Sequence, residues 1–112
     1  QQMGDHKVTL IDLREYSIPL YDADVESKYG MPENAKKIRR LMLQSDAIII
    51  ASPEYNGSIS GALKNVIDWA SRNENGQASR EAFKDKRFAI MTAAPSGGTS
   101  GLSHLRSIIQ RI

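Results

Sequence analysis

The sequence predicts an α/β domain built on a parallel sheet, and three observations carry that prediction. Short apolar runs alternate along the chain with segments of helical periodicity, three times over, as right-handed strand–helix crossovers require. The run Ala47-Ile48-Ile49-Ile50-Ala51 is apolar at every position, the pattern of a strand covered by helices on both faces. Loops rich in Gly, Ser, Pro and Asn leave two of the strands and lead into helices. With 112 residues the chain has room for one domain and not for two.

The first strand is expected at residues 8–13, which are short, apolar and β-branched at the start. Residues 14–31 are polar and irregular, with Pro19 and several Asp, and read as a long loop, a length uncommon unless the loop is functional or partly structured. Pro32 then suits the opening turn of a helix, where its missing N–H costs nothing. Ala35, Ile38, Leu41 and Met42 line one face of that helix, which should end near Ser45.

The second strand follows at residues 47–51, and residues 52–58 form a loop. Ser60 is the expected N-cap of the next helix, because its hydroxyl can accept from a free N–H of the first turn. Ile59, Leu63, Val66, Ile67 and Ala70 give that helix its apolar face. Trp69 borders this face and belongs to the core or to an interface. Lys64 and Asp68, four apart, suit a surface ion pair or a dimer contact. Residues 73–86 are turn-prone, residues 87–93 form the third strand, and residues 96–101 form a second Gly/Ser loop. Leu102, Leu105, Ile108, Ile109 and Ile112 make the last helical stripe.

Several classes of function are excluded or disfavoured. There are no cysteines, so disulfides, thiolate metal sites and a cysteine nucleophile are ruled out, in keeping with a cytoplasmic protein. His6 and His104 lack metal-ligand spacing. The longest apolar run is too short to span a membrane. The net charge is only +2, and the densest basic run, residues 36–40, has no aromatic residues among its cations. It reads as a solvated helix face and not as a nucleic-acid surface. Neither Gly-rich loop matches the P-loop or GxGxxG patterns, which disfavours a nucleotide triphosphatase or a standard dinucleotide site.

In open α/β sheets, ligands bind beyond the carboxyl ends of the strands. The loops at 52–58 and 94–101 leave such ends. Small residues let their backbones approach a flat ligand, and helix N-termini favour a negative edge on it.

The stretch Pro53-Glu54-Tyr55-Asn56, followed by Gly61, Leu63-Lys64-Asn65 and Ile67-Asp68-Trp69, closely resembles the signature of the NADPH-dependent FMN reductase family. This flavodoxin-like group includes quinone, azo-dye and chromate reductases. The resemblance covers nearly all of residues 7–112. It implies a flavodoxin-like α/β/α fold with a parallel sheet of order 2-1-3-4-5. The strands seen here would be the second, third and fourth, so residues 1–112 form a single domain incomplete at both ends.

The resemblance also implies roles. Pro53, Glu54, Tyr55 and Asn56 match the loop bordering the isoalloxazine ring of FMN, through backbone groups and the Asn side chain. Ser96, Gly97 and Gly98 match the second loop, at the pyrimidine end. The family's Ser/Arg-rich phosphate loop follows the first strand and has no counterpart in these residues. Electrons would pass from NADPH or NADH through FMN to a small acceptor such as a quinone, azo compound, metal oxyanion or free flavin, with no catalytic acid or base and no metal. A homodimer or homotetramer is implied, with no nucleic-acid or membrane partner. A flavodoxin-type electron carrier is the alternative.

Overall fold

The computed structural model describes residues 7–93 and 99–112. In chain order these form a short 3-10 turn at Leu13–Glu15, helix α1 (Ala23–Tyr29), helix α2 (Glu33–Gln44), strand β1 (Ala47–Pro53), helix α3 (Gly61–Ala70), strand β2 (Arg87–Ala93) and helix α4 (Thr99–Arg111). The strands β1 and β2 pair in parallel, with Ala47 opposite Arg87 and Pro53 opposite Ala93. They therefore end level with each other, and the loops that leave them start from one edge of the sheet.

The α/β class with a parallel sheet is as expected from the sequence. Pro32 sits at the N-cap of α2, and that helix ends at Gln44, one residue before Ser45. Ser60 caps α3 by accepting the Leu63 N–H at 3.2 Å.

Residues 8–13 are not a strand. A strand needs a neighbour for its N–H and C=O groups, and among the described residues none pairs with residues 7–12. Val8 and Leu10 are 86% and 93% exposed. Thr9, Ile11 and Leu13 instead line an apolar cavity of about 230 Å³, with Ile48 and Ile50 of β1 also on its wall.

Nor is β1 buried on both faces. Its burial alternates, and Ile49 is 70% exposed. On β2, Met91 shares that open face. The other face carries Ile50, Phe88 and Ile90 into a core with Leu63 and Ile67 of α3, Phe83, and Leu105 of α4. The described helices thus supply one layer over one side of the sheet.

Residues 14–31 are not one loop. Asp22 accepts from the Asp24 and Val25 N–H groups and so starts α1, and Gly30, at φ 76°, ends it. The helix is short, with Glu26 as its one buried residue, so no apolar periodicity announced it.

Candidate functional site

The site is built where β1 runs out. Ser52 is buried, and its hydroxyl donates to the Pro53 carbonyl at 2.9 Å while accepting from the Ser60 N–H at 3.2 Å. This pins the two ends of the loop together. Between them Tyr55 and Ser58 exchange backbone hydrogen bonds at 2.9 and 3.0 Å. The two central residues, Asn56 and Gly57, both have positive φ, 52° and 77°. That combination is a type I′ turn, for which Asn-Gly is the preferred pair because both residues reach the left-handed region at low cost. The tight turn leaves Pro53, Tyr55, Asn56 and Gly57 exposed at the rim of the sheet.

The first turns of α4 lie across this loop. The Gly101 N–H donates to Glu54 Oε1 at 2.6 Å. One helical turn further on, His104 Nδ1 and Ser58 Oγ are 2.6 Å apart. Gly57 faces Ser100, whose Cβ would stand 3.9 Å from a Cβ at position 57. The turn at 54–58 and the start of α4 are therefore joined at two points. Of the expected site residues, Pro53, Glu54, Tyr55 and Asn56 come together on this rim. Ser96, Gly97 and Gly98 lie outside the described residues. Among the described residues no cluster of His, Asp or Glu is arranged to hold a metal ion.

Other parts of the same sequence signature serve packing. Asn65 accepts from the Tyr21 N–H at 2.8 Å and donates to the carbonyls of Pro19 and Ile18 at 3.0 and 3.3 Å. Trp69 is 1% exposed, donates from Nε1 to the Pro19 carbonyl at 2.9 Å, and meets Tyr21 edge-on at 4.8 Å. It is a core residue. Asn65 and Trp69, one turn apart on α3, hold residues 18–21 against that helix. Lys64 and Asp68 form the expected ion pair at 2.9 Å on its exposed side.

The basic run on α2 is not wholly solvated. Arg40 makes a bidentate pair with Glu74 at 2.7 and 2.9 Å. Arg39 is buried, with Glu81 3.6 Å away. Arg40 fastens α2 to residues 74–81 and Arg39 faces the same segment, which spacing along α2 alone could not reveal. The cavity beside β1 is lined from residues 9–13, α2 and α3 and has none of the rim residues on its wall, so it is separate from this site.

The model of the NADPH-dependent FMN reductase family matches residues 1–112. The chain belongs to this family. It is 38% identical over 94 residues to a quinone reductase of Escherichia coli (strain K12), covering 82% of the chain and 47% of that relative. It is 40% identical over 92 residues to an NADPH:quinone oxidoreductase of Arabidopsis thaliana, covering 81% and 44%. With an NAD(P)H-dependent FMN reductase of Pseudomonas aeruginosa it shares 38% over 102 residues, covering 88% and 52%.

Among solved structures, the flavoenzyme NAD(P)H:(acceptor) oxidoreductase FerB from Paracoccus denitrificans superposes with a TM-score of 0.69 at 28% identity, over 84% of the chain and 50% of FerB. This FMN reductase-family chain spans about half the length of the curated relatives it matches. No helix among its described residues is long and apolar enough to cross a membrane.

Proposed function

We propose that the protein is an NAD(P)H-dependent FMN oxidoreductase that passes electrons to a small acceptor such as a quinone. One observation carries the reading. The Pro53–Asn56 rim and the N-terminus of α4 meet at the carboxyl edge of a parallel sheet, in a chain of the FMN reductase family. The exposed backbone of the type I′ turn and the exposed Asn56 amide fit the ring end of FMN, since an amide can donate and accept at the mixed edge of a flavin. The phosphate is assigned to none of the described residues. FMN, when bound, supplies the electron-transfer chemistry, and this chain borders, orients and shields the ring.

Pro53, Glu54, Tyr55 and Asn56 then border the ring, with Ser96, Gly97 and Gly98 completing the cradle. NADPH or NADH is the electron source. The assembly is a homodimer or homotetramer, as in the family the sequence resembles. The absence of cysteine suits a cytoplasmic setting.

Titration of the full chain with FMN, followed by quenching of flavin fluorescence, tests the cofactor. Steady-state NADPH oxidation with a quinone tests the turnover. Saturable quenching with turnover is expected. Quenching without turnover would make the protein a flavodoxin-type carrier, and no quenching would remove the FMN assignment.

A further inference from the structure

We propose that Glu54 is a positioning residue that sets the balance between oxidised and reduced FMN at this site, acting through the first turn of α4. The proposal rests on the FMN reading above. Glu54 stands between Pro53 and Tyr55, both exposed, yet it is itself half-buried. Its carboxylate reaches the third residue of α4, where Oε1 accepts the Gly101 N–H at 2.6 Å.

The fit is mutual. Gly101 is buried, and a Cβ there would stand 3.0 Å from Glu54 Oε1, 3.2 Å from Cγ and 3.4 Å from Cβ. A Cβ at position 101 would press on the carboxylate and push it aside by a few tenths of an ångström, so glycine suits the contact. The Ser58–His104 contact at 2.6 Å, one turn along, holds the helix in the same register by an independent route.

The electrostatic consequence follows from the helix. The N-terminus of α4 carries a partial positive charge of about half a unit, concentrated in its first turn. Left open, it would stabilise negative charge on a ligand at the sheet edge, and reduced flavin is the more negative state of the ring. The Glu54 carboxylate on the Gly101 N–H opposes that partial charge. Glu54 thus serves two ends. Its hydrogen bond locks the turn at 54–58 to α4, and its charge disfavours reduced FMN, which keeps the bound cofactor a strong reductant toward the acceptor.

The two roles separate on substitution. Glu54→Gln retains an oxygen for the Gly101 N–H and removes the charge. Bound to the full chain, reduced FMN is expected to gain affinity relative to oxidised FMN by severalfold to about tenfold. A tenfold change corresponds to roughly 30 mV upward in the two-electron midpoint potential. Glu54→Ala removes the acceptor of the Gly101 N–H. It should weaken FMN binding and move the Gly101 amide proton upfield in the apoprotein by more than Glu54→Gln does, because the Gln side chain keeps a weaker oxygen acceptor there.

A midpoint potential in Glu54→Gln equal to that of the unsubstituted protein, with FMN bound in both, would overturn the proposal and leave the FMN reading standing. Failure of the unsubstituted chain to bind FMN would remove the FMN reading and this proposal with it. An unmoved Gly101 amide proton in Glu54→Ala would overturn the contact on which the proposal depends.

Discussion

Glu26 and Arg72, 46 positions apart in sequence, form a two-pronged pair, with Arg72 Nε and Nη2 donating to the two Glu26 carboxylate oxygens at 3.1 and 2.8 Å. Tyr21 adds its hydroxyl to Glu26 Oε1 at 2.9 Å, and Arg72 reaches on to the Gly76 carbonyl at 2.8 Å. The pair ties α1 to the segment that follows α3.

The Arg72 hydrogen bonds hold the Glu26 carboxyl below its ordinary value of 4.5, against the opposing effect of burial, and the Tyr21 hydroxyl helps. A carboxyl depressed in the folded state contributes stability that is whole above the ordinary value and is lost as the pH falls through the folded one. Loss of the charged Arg72 hydrogen bonds in Glu26→Gln should cost about 2 kcal/mol at neutral pH, and the acid limb of the stability curve should flatten below about pH 4.5. Urea unfolding at neutral pH and at a series of acid pH values checks both. An acid limb as steep as in the unsubstituted chain would assign acid sensitivity elsewhere.

Asn65→Ala leaves the Tyr21 N–H and the Ile18 carbonyl without their side-chain partner, while the Pro19 carbonyl keeps the Trp69 indole. A loss of about 2–3 kcal/mol is expected in equilibrium unfolding, since stranded buried groups cost about 1 kcal/mol or more each. Protease cleavage near residues 18–21 should also quicken. Unchanged cleavage would show that the segment is held by Trp69 alone.

Two glycines flanking the rim should respond with opposite signs. Gly57→Ala meets only an ordinary contact at Ser100, but its φ of 77° costs a Cβ-bearing residue about 1–2 kcal/mol. Gly61 opens α3 with no positive φ and with no atom within 4 Å of the place a Cβ would take, so Gly61→Ala should stabilise by about 0.4–1 kcal/mol. Thermal melts of the two variants side by side decide the matter, and equal shifts would refute the turn geometry.

Arg39 is 5% exposed, its Nε has no hydrogen-bond partner among the described residues, and the Glu81 it faces is largely exposed. A buried cation so weakly compensated gains little over an apolar side chain of similar length. Arg39→Met is expected to be neutral or stabilising by up to about 1 kcal/mol, measured by urea unfolding. A loss of several kcal/mol would mean that the guanidinium anchors α2 more firmly than these contacts suggest.

Where local chemistry decides the backbone, the sequence by itself was sufficient. Pro32 and Ser60 mark helix starts because a missing N–H and a capping hydroxyl act within one turn. The helical spacing of Leu63 and Ile67 set a helix, the short unbroken apolar run at 47–51 set a strand, and the Pro53–Asn56 motif set the family. What tertiary structure alone decided depends on partners distant in the chain. Residues 8–13 have strand composition but no ladder neighbour among the described residues, and the open face at Ile49 reflects which side the helices cover. Glu54 is a rim residue in sequence and a link to Gly101 in space, because only folding brings α4 across the turn at the end of β1. A side chain's neighbours within a turn follow from spacing, but a contact across 47 residues follows from how the layers close.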